Sequence, residues 1–279
     1  MGANAADRFS GGANNTNGAD ADADVWKDQV GADIDTVFEV TREDVIQYNL
    51  DPNSINFGNA LKDANNDPLK LPATVVKFNG ISQYFYDKDG YNITKISGTG
   101  GAGSDVVVID ESISADVELH GGAGDDALRV NGSGIARLYG DANDDMLVGG
   151  SGNDYLEGGE GKDRLAGFAG NDRIDGGDGD DKIDGGLGND YLLGGTTDAG
   201  NDTIIGGKST LEVGEVDDDY IDGGAGDDII LGNAGSDWIL GGTGDDRIQG
   251  GAGDDRIFGG NESETPQADT DADGNPLTI

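Results

Sequence analysis

The sequence predicts an all-β fold: a parallel β-roll (β-solenoid) of nine-residue repeats with a small β-rich N-terminal cap. Three observations carry that prediction. A phrase repeats in register, reading GGSGNDYLE, GGEGKDRLA, GFAGNDRID, GGDGDDKID and GGLGNDYLL from Gly149, and GGAGDDIIL, GNAGSDWIL, GGTGDDRIQ and GGAGDDRIF from Gly223. A large aliphatic residue holds the eighth position of every one of these copies. An Asp holds the sixth, which no turn by itself requires. The frame is G-G-x-G-x-D-x-U-x, with U the aliphatic residue.

Taken in chain order, residues 1–24 are rich in Ala, Asn, Asp and Gly and read as a flexible lead. Residues 25–96 hold most of the aromatic side chains, from Trp26 to Tyr91. Short β-like runs at Thr36–Val40, Ala73–Phe78, Gln83–Tyr86 and Asn92–Ile96 make this stretch the β-rich cap, or a fragment of a preceding domain. Residues 97–139 read as irregular solenoid coils. Their loops carry Asp105 and Asp126, and Val107 and Leu128 take the inward position.

Residues 140–260 are the roll. The period is unbroken from Gly140 to Leu193, although the first copy has Asp141 and Asn143 in place of glycines. Two expanded copies follow, with extra residues before Asp202 and before Asp219, and the regular phrase then runs from Gly223 to Phe258. Residues 261–279 are acidic, with Thr, Pro and Asp, and read as a disordered tail.

Each position in the phrase has a physical reason. Glycines at one, two and four permit positive φ and close approach of neighbouring chains. Six such residues make a turn, and x-U-x is a very short strand in which U alone points inward. The U residues Leu156, Leu165, Ile174, Ile183, Leu192, Ile230, Ile239, Ile248 and Ile257 imply a thin aliphatic core along a stack. Two repeats close one coil, and coils stack at about 4.8 Å. Each position-six Asp then lies near the Asp two repeats away. One column runs through Asp145, Asp163, Asp181, Asp202, Asp228 and Asp246, and the other through Asp154, Asp172, Asp190, Asp219, Asp237 and Asp255. Two carboxylates about 5 Å apart repel by roughly 3 kcal/mol at an effective dielectric near 20. A hard cation removes that repulsion. Calcium accepts six to eight oxygens in flexible geometry, whereas magnesium demands a tight octahedron.

The array resembles the RTX β-roll, the hemolysin-type calcium-binding repeat of bacterial type I secreted proteins. The resemblance implies that each ion sits between loops of adjacent coils, held by the Asp of both loops and by the carbonyls of positions two and four of one. Carried onto this chain, the position-two glycines are Gly150, Gly159, Gly177, Gly186, Gly224, Gly242 and Gly251. Those at position four are Gly152, Gly161, Gly170, Gly179, Gly188, Gly226, Gly235, Gly244 and Gly253. Five gaps per column imply at most about ten ions. The insertions put the sites at Asp202 and Asp219 in doubt, and Asp141 and Asn143 weaken the first. The resemblance further implies an extracellular bacterial protein that folds on meeting calcium outside the cell, as part of an adhesin or surface matrix. The alternative is an accessory domain of a secreted hydrolase, lyase or epimerase. Residues after Gly260 are few for a C-terminal secretion signal, so the expectation is a fragment of a larger protein or an atypical signal.

Composition narrows the classes. A net charge of −39 disfavours nucleic acid, which needs a basic footprint. Composition alone, with 52 glycines, would suit a disordered tail, but disorder does not need an aliphatic residue in every ninth place. Without calcium, disorder becomes the better reading. The chain has no cysteine and no apolar run of membrane-spanning length, and its N-terminus lacks the basic start and apolar stretch of a signal peptide. A zinc-protease motif needs two histidines, and His120 stands alone. No G-x-S-x-G elbow accompanies it, so no enzyme is expected. Position seven points outward, and in one column it reads Tyr155, Arg173, Tyr191, Tyr220, Trp238, Arg256. That face is either sheet-surface stacking or a contact for a glycan or protein.

Overall fold

The computed structural model describes residues 24–27, 37–46, 70–78, 81–86, 95–195, 200–212, 215–260 and 267–268. Among them there is no helix, and therefore none long and apolar enough to cross a membrane. The strands are β1 (Asp24–Lys27), β2 (Val37–Ile46), β3 (Lys70–Phe78), β4 (Ile81–Tyr86), β5 (Lys95–Ala102), β6 (Val106–Ile109), β7 (Asp116–Ala123), β8 (Ala127–Val130), β9 (Ala136–Ala142), β10 (Met146–Gly150) and β11 (Tyr155–Glu160). They continue as β12 (Arg164–Ala169), β13 (Arg173–Asp178), β14 (Lys182–Leu187), β15 (Tyr191–Gly195), β16 (Thr203–Gly207), β17 (Tyr220–Gly224), β18 (Ile229–Ala234), β19 (Trp238–Leu240), β20 (Arg247–Ala252), β21 (Arg256–Phe258) and β22 (Gln267–Ala268).

From β5 to β21 the chain alternates between two sheets, odd strands in one and even strands in the other. All pairings along this stretch are parallel, and the coils number about nine. The molecule is an all-β parallel solenoid. Its register matches U to U: Leu156 pairs with Ile174, and Leu165 with Ile183. Alternation within the strands puts U inside and its neighbours outside. Leu138, Leu147, Leu156, Ile174, Leu192, Ile204, Ile221, Ile230 and Ile239 are completely buried. The core is thus one aliphatic side chain per half-coil, stacked along the axis, as the nine-residue period predicts. Toward the C-terminal end of the described stack Ile248 and Ile257 are only partly buried.

Two details differ from expectation. The strands are longer than x-U-x and run on through positions one to three of the next copy, as in Tyr155–Glu160. Glycine at position one is needed for space, not for positive φ. A Cβ on Gly158 would collide with the Asp163 carboxylate of its own loop and with the Gly176 carbonyl of the next coil. Positive φ belongs to positions two and four, with Gly159 at 114° and Gly161 at 143°. The four non-glycine residues with positive φ all sit at those two positions. Asp141 and Asn143 take 75° and 80°, so the degenerate first copy keeps the shape of its loop. Asn233 and Phe168 take 75° and 79°.

The N-terminal strands extend the two sheets. β1 pairs in parallel with β5, β2 pairs in parallel with β6, and β3 and β4 add to β2 as an antiparallel hairpin. At the other end β22 pairs antiparallel with β21. The expected flexible lead, apart from Asp24, lies outside the described residues, as does the expected disordered tail apart from Gln267 and Ala268.

Candidate metal centre

The loops between strands align along the stack and bring the position-six aspartates into two columns. In one, the Asp105 amide donates to Asp126 Oδ1 at 2.7 Å, Asp126 to Asp145 at 2.7 Å, Asp145 to Asp163 at 2.7 Å and Asp163 to Asp181 at 2.8 Å. The same link continues from Asp181 through Asp202 and Asp228 to Asp246. In the other column it runs from the Ala136 amide to Asp154, then through Asp172, Asp190, Asp219 and Asp237 to Asp255. Asp105 and Asp126 of the irregular coils therefore join the column of Asp145. The expanded copies keep their place as well. Their extra residues precede the Asp and leave the strand register intact, with Lys182 opposite Thr203 and Tyr191 opposite Tyr220.

These carboxylates are buried. Asp145, Asp163, Asp181 and Asp228 are about 1 % exposed. Each turns Oδ1 to a neighbouring amide and Oδ2 toward the first glycine of its own loop. The Oδ2 atoms of Asp126, Asp145, Asp154, Asp163, Asp172, Asp190, Asp219, Asp228 and Asp246 are buried without a hydrogen-bond partner. An ionised oxygen in that setting is costly unless a proton or cation compensates it. Burial pushes Asp145 up to about 8, Asp172 and Asp190 to about 7, and Asp219 to about 9. The amide hydrogen bond to Oδ1 works against burial in each case, and neighbouring aspartates add a smaller upward push. Desolvation, more than repulsion between stacked carboxylates, is therefore what opposes a cation-free roll.

Carbonyl oxygens also line the stack. A Cβ on Gly177 would strike the Gly159 carbonyl, and one on Gly179 would strike the Gly161 carbonyl. The same holds for Gly186 against Phe168, Gly188 against Gly170, Gly242 against Gly224, Gly244 against Gly226 and Gly253 against Gly235. Gly150 and Gly152 meet the carbonyls of Gly132 and Gly134, Gly170 that of Gly152, Gly235 that of Asp217 and Gly251 that of Asn233. Positions two and four thus point their carbonyls at the next coil. Among the described residues no three His, Cys, Asp or Glu side chains converge as a metal cluster. The donors on offer are the buried carboxylate oxygens of loops such as those of Asp145, Asp163, Asp172 and Asp190, plus main-chain carbonyls. This all-oxygen set suits a hard, flexible cation such as calcium, and there is no sulfur or imidazole set for a softer one.

A second ladder escapes the repeat phrase. At position five, side chains of one coil accept the position-five amide of a neighbouring coil: Asn171 donates to Asn153 at 2.9 Å, and Asp245 to Asp227 at 2.8 Å. Asp144 serves Lys162 in the same way, and Asp180 serves Asn201. The sequence signal is a bias to Asn, Asp and Ser at a place the phrase writes as x. Lys162 is the exception, and its ammonium pairs with the Asp180 carboxylate of the next coil.

The outward face of the odd-strand sheet carries the aromatic column as predicted. Tyr191 and Tyr220 stack with centroids 4.6 Å apart and planes at 4°. Arg173 lies over the Tyr191 ring at 4.6 Å, and Trp238 stacks on Phe258 at 5.3 Å. His120 stacks on Tyr139 at 4.3 Å, with Nδ1 3.2 Å from the Asp141 carboxylate. The single histidine is thus part of the sheet surface.

Comparison with known families agrees with the geometry. The family model for the RTX calcium-binding nonapeptide repeat (4 copies) matches residues 130–165, 166–197, 196–209, 213–239 and 231–263. No curated protein and no solved structure matches the chain. With its two aspartate columns, glycine-lined carbonyls and aliphatic core in this register, the stretch from 130 to 263 is an array of RTX calcium-binding nonapeptide repeats.

Proposed function

We propose that this chain is a secreted, non-catalytic structural module that acquires its β-roll by binding calcium outside the cell, within an adhesin or surface-matrix protein. Calcium binding itself follows from the repeats. The observation that supports coupling to folding is the set of buried carboxylate oxygens without a hydrogen bond, on Asp126, Asp145, Asp154, Asp163, Asp172, Asp190, Asp219, Asp228 and Asp246. A chain that must compensate these groups to close its core gains its fold from the ion, so binding free energy becomes folding free energy. Extracellular calcium modules work at dissociation constants of order 10⁻⁴–10⁻³ M, which matches a medium rich in calcium and keeps the chain open where calcium is scarce. RTX proteins are typically extracellular, which supports the location. The residues proposed to hold the ions are the position-six aspartates of both columns, with the carbonyls of positions two and four.

Equilibrium dialysis of the whole chain tests this reading. Several calcium ions per chain should be retained at millimolar calcium, and an excess of magnesium should not displace them. A chain that retains none at that concentration contradicts it.

A further inference from the structure

The second expanded copy contains a carboxylate that the repeat does not provide. The copy begins at Gly206 and reaches its position-six Asp only at Asp219. Asp217 occupies position four, where the regular copies have glycine. Its carbonyl faces Gly235, the position-four glycine of the next coil, so the main chain keeps the regular path. Its side chain is fully buried, at 0 % exposure. Oδ1 accepts the Gly188 amide at 2.9 Å, and Oδ2 has no hydrogen-bond partner. The Lys208 amide and ammonium both favour the ionised Asp217 carboxylate, and the ammonium also lies 3.9 Å from Glu215.

Oδ2 of Asp217 is aimed into the loop. It lies where a Cβ on Gly207 would stand, a place also 2.8 Å from the Gly186 carbonyl of the preceding coil. Oδ2 of Asp219 lies where a Cβ on Gly206 would stand. Carboxylate oxygens of Asp219 and Asp217 thus lie beside successive glycines of one dipeptide, and a position-two carbonyl from the adjacent coil lies on the Asp217 side. The regular copies have glycine at position four and so no second carboxylate there.

Resting on the calcium-binding reading above, we propose that Asp217 is an additional calcium ligand and that the loop from Gly206 to Asp219 holds the tightest-bound ion of the array. Affinity in oxygen-ligand sites rises with the number of charged ligands and with rigidity. Here the extra charge is supplied by a side chain already fixed through Gly188. The expansion that interrupts the period thus strengthens one site instead of deleting it.

Calcium titration calorimetry on the whole chain tests this with two variants. Asp217→Asn keeps the acceptor for the Gly188 amide and removes the charge. Asp217→Gly restores the regular position-four residue. The first calcium equivalent should bind about tenfold or more weakly in both, with later equivalents unchanged. An unaltered first equivalent in Asp217→Asn, while the chain still takes up calcium, would overturn the proposal and leave the repeat sites standing. Loss of all binding in both variants would also overturn it, since a ligand of one site does not abolish the others. A wild-type chain that takes up no calcium would remove the underlying reading as well.

Discussion

At the scale of single residues, the position-six aspartates define the chemistry. Their two oxygens are placed differently: Oδ1 ties adjacent coils through an amide, and Oδ2 turns toward the first glycine of its own loop. The pH dependence follows. Unfolded, these carboxylates titrate near 3.8, while burial raises Asp126, Asp154, Asp163 and Asp228 to about 6 and Asp219 to about 9 in the metal-free fold. The folded state therefore holds protons that the unfolded chain has released. Their contribution to stability is complete below about pH 4 and is lost as pH rises through the range from about 6 to about 9. In chelator, far-UV circular dichroism should show β-structure at the acid end that fades toward alkaline pH. A metal-free chain that gains structure as pH rises would contradict this. The identity of these residues was legible in the sequence, since only Asp recurs at position six. The division of labour between their oxygens was not, because it depends on how far one coil is offset from the next.

Among the elements, the strands were legible through U and the loops through glycine. Strand length was not, because the glycines at position two look like turn residues yet pair as strand in β11 and β13. The position-five ladder was hidden because Asn, Asp and Ser all supply the acceptor it needs, so no single letter recurs. Phe168 shows the reverse case. The phrase requires glycine there, and the loop geometry imposes a φ of 79° on a bulky residue all the same, at a cost of about 1–2 kcal/mol. On the odd-strand face, the Tyr191–Tyr220 and Trp238–Phe258 pairs turn ring faces toward each other, which favours stacking within the sheet over display to a glycan or protein. Stacked pairs contribute about 0.5–1.5 kcal/mol each. Changing Tyr191, Tyr220 and Trp238 together to Ser should lower the melting temperature in calcium while leaving ion stoichiometry intact. An unchanged melting temperature would return the face to the role of a partner surface.

For the molecule as a whole, the solenoid is one-dimensional: each coil touches its neighbours, and stability is a sum of coil and interface contributions. One aliphatic residue per half-coil is a thin core, and a net charge of −39 opposes compaction. Calcium held by the columns, as proposed, would act on both deficits, by neutralising the buried carboxylates and by fixing the loops that hold the coils in register. The central claim is that this ion is the switch between open chain and roll. Far-UV circular dichroism of the whole chain during a calcium titration at neutral pH, with magnesium as control, tests it most directly. The account predicts a cooperative transition from coil to β-structure with calcium and none with magnesium. A spectrum already rich in β-structure in chelator, and indifferent to calcium, would contradict it.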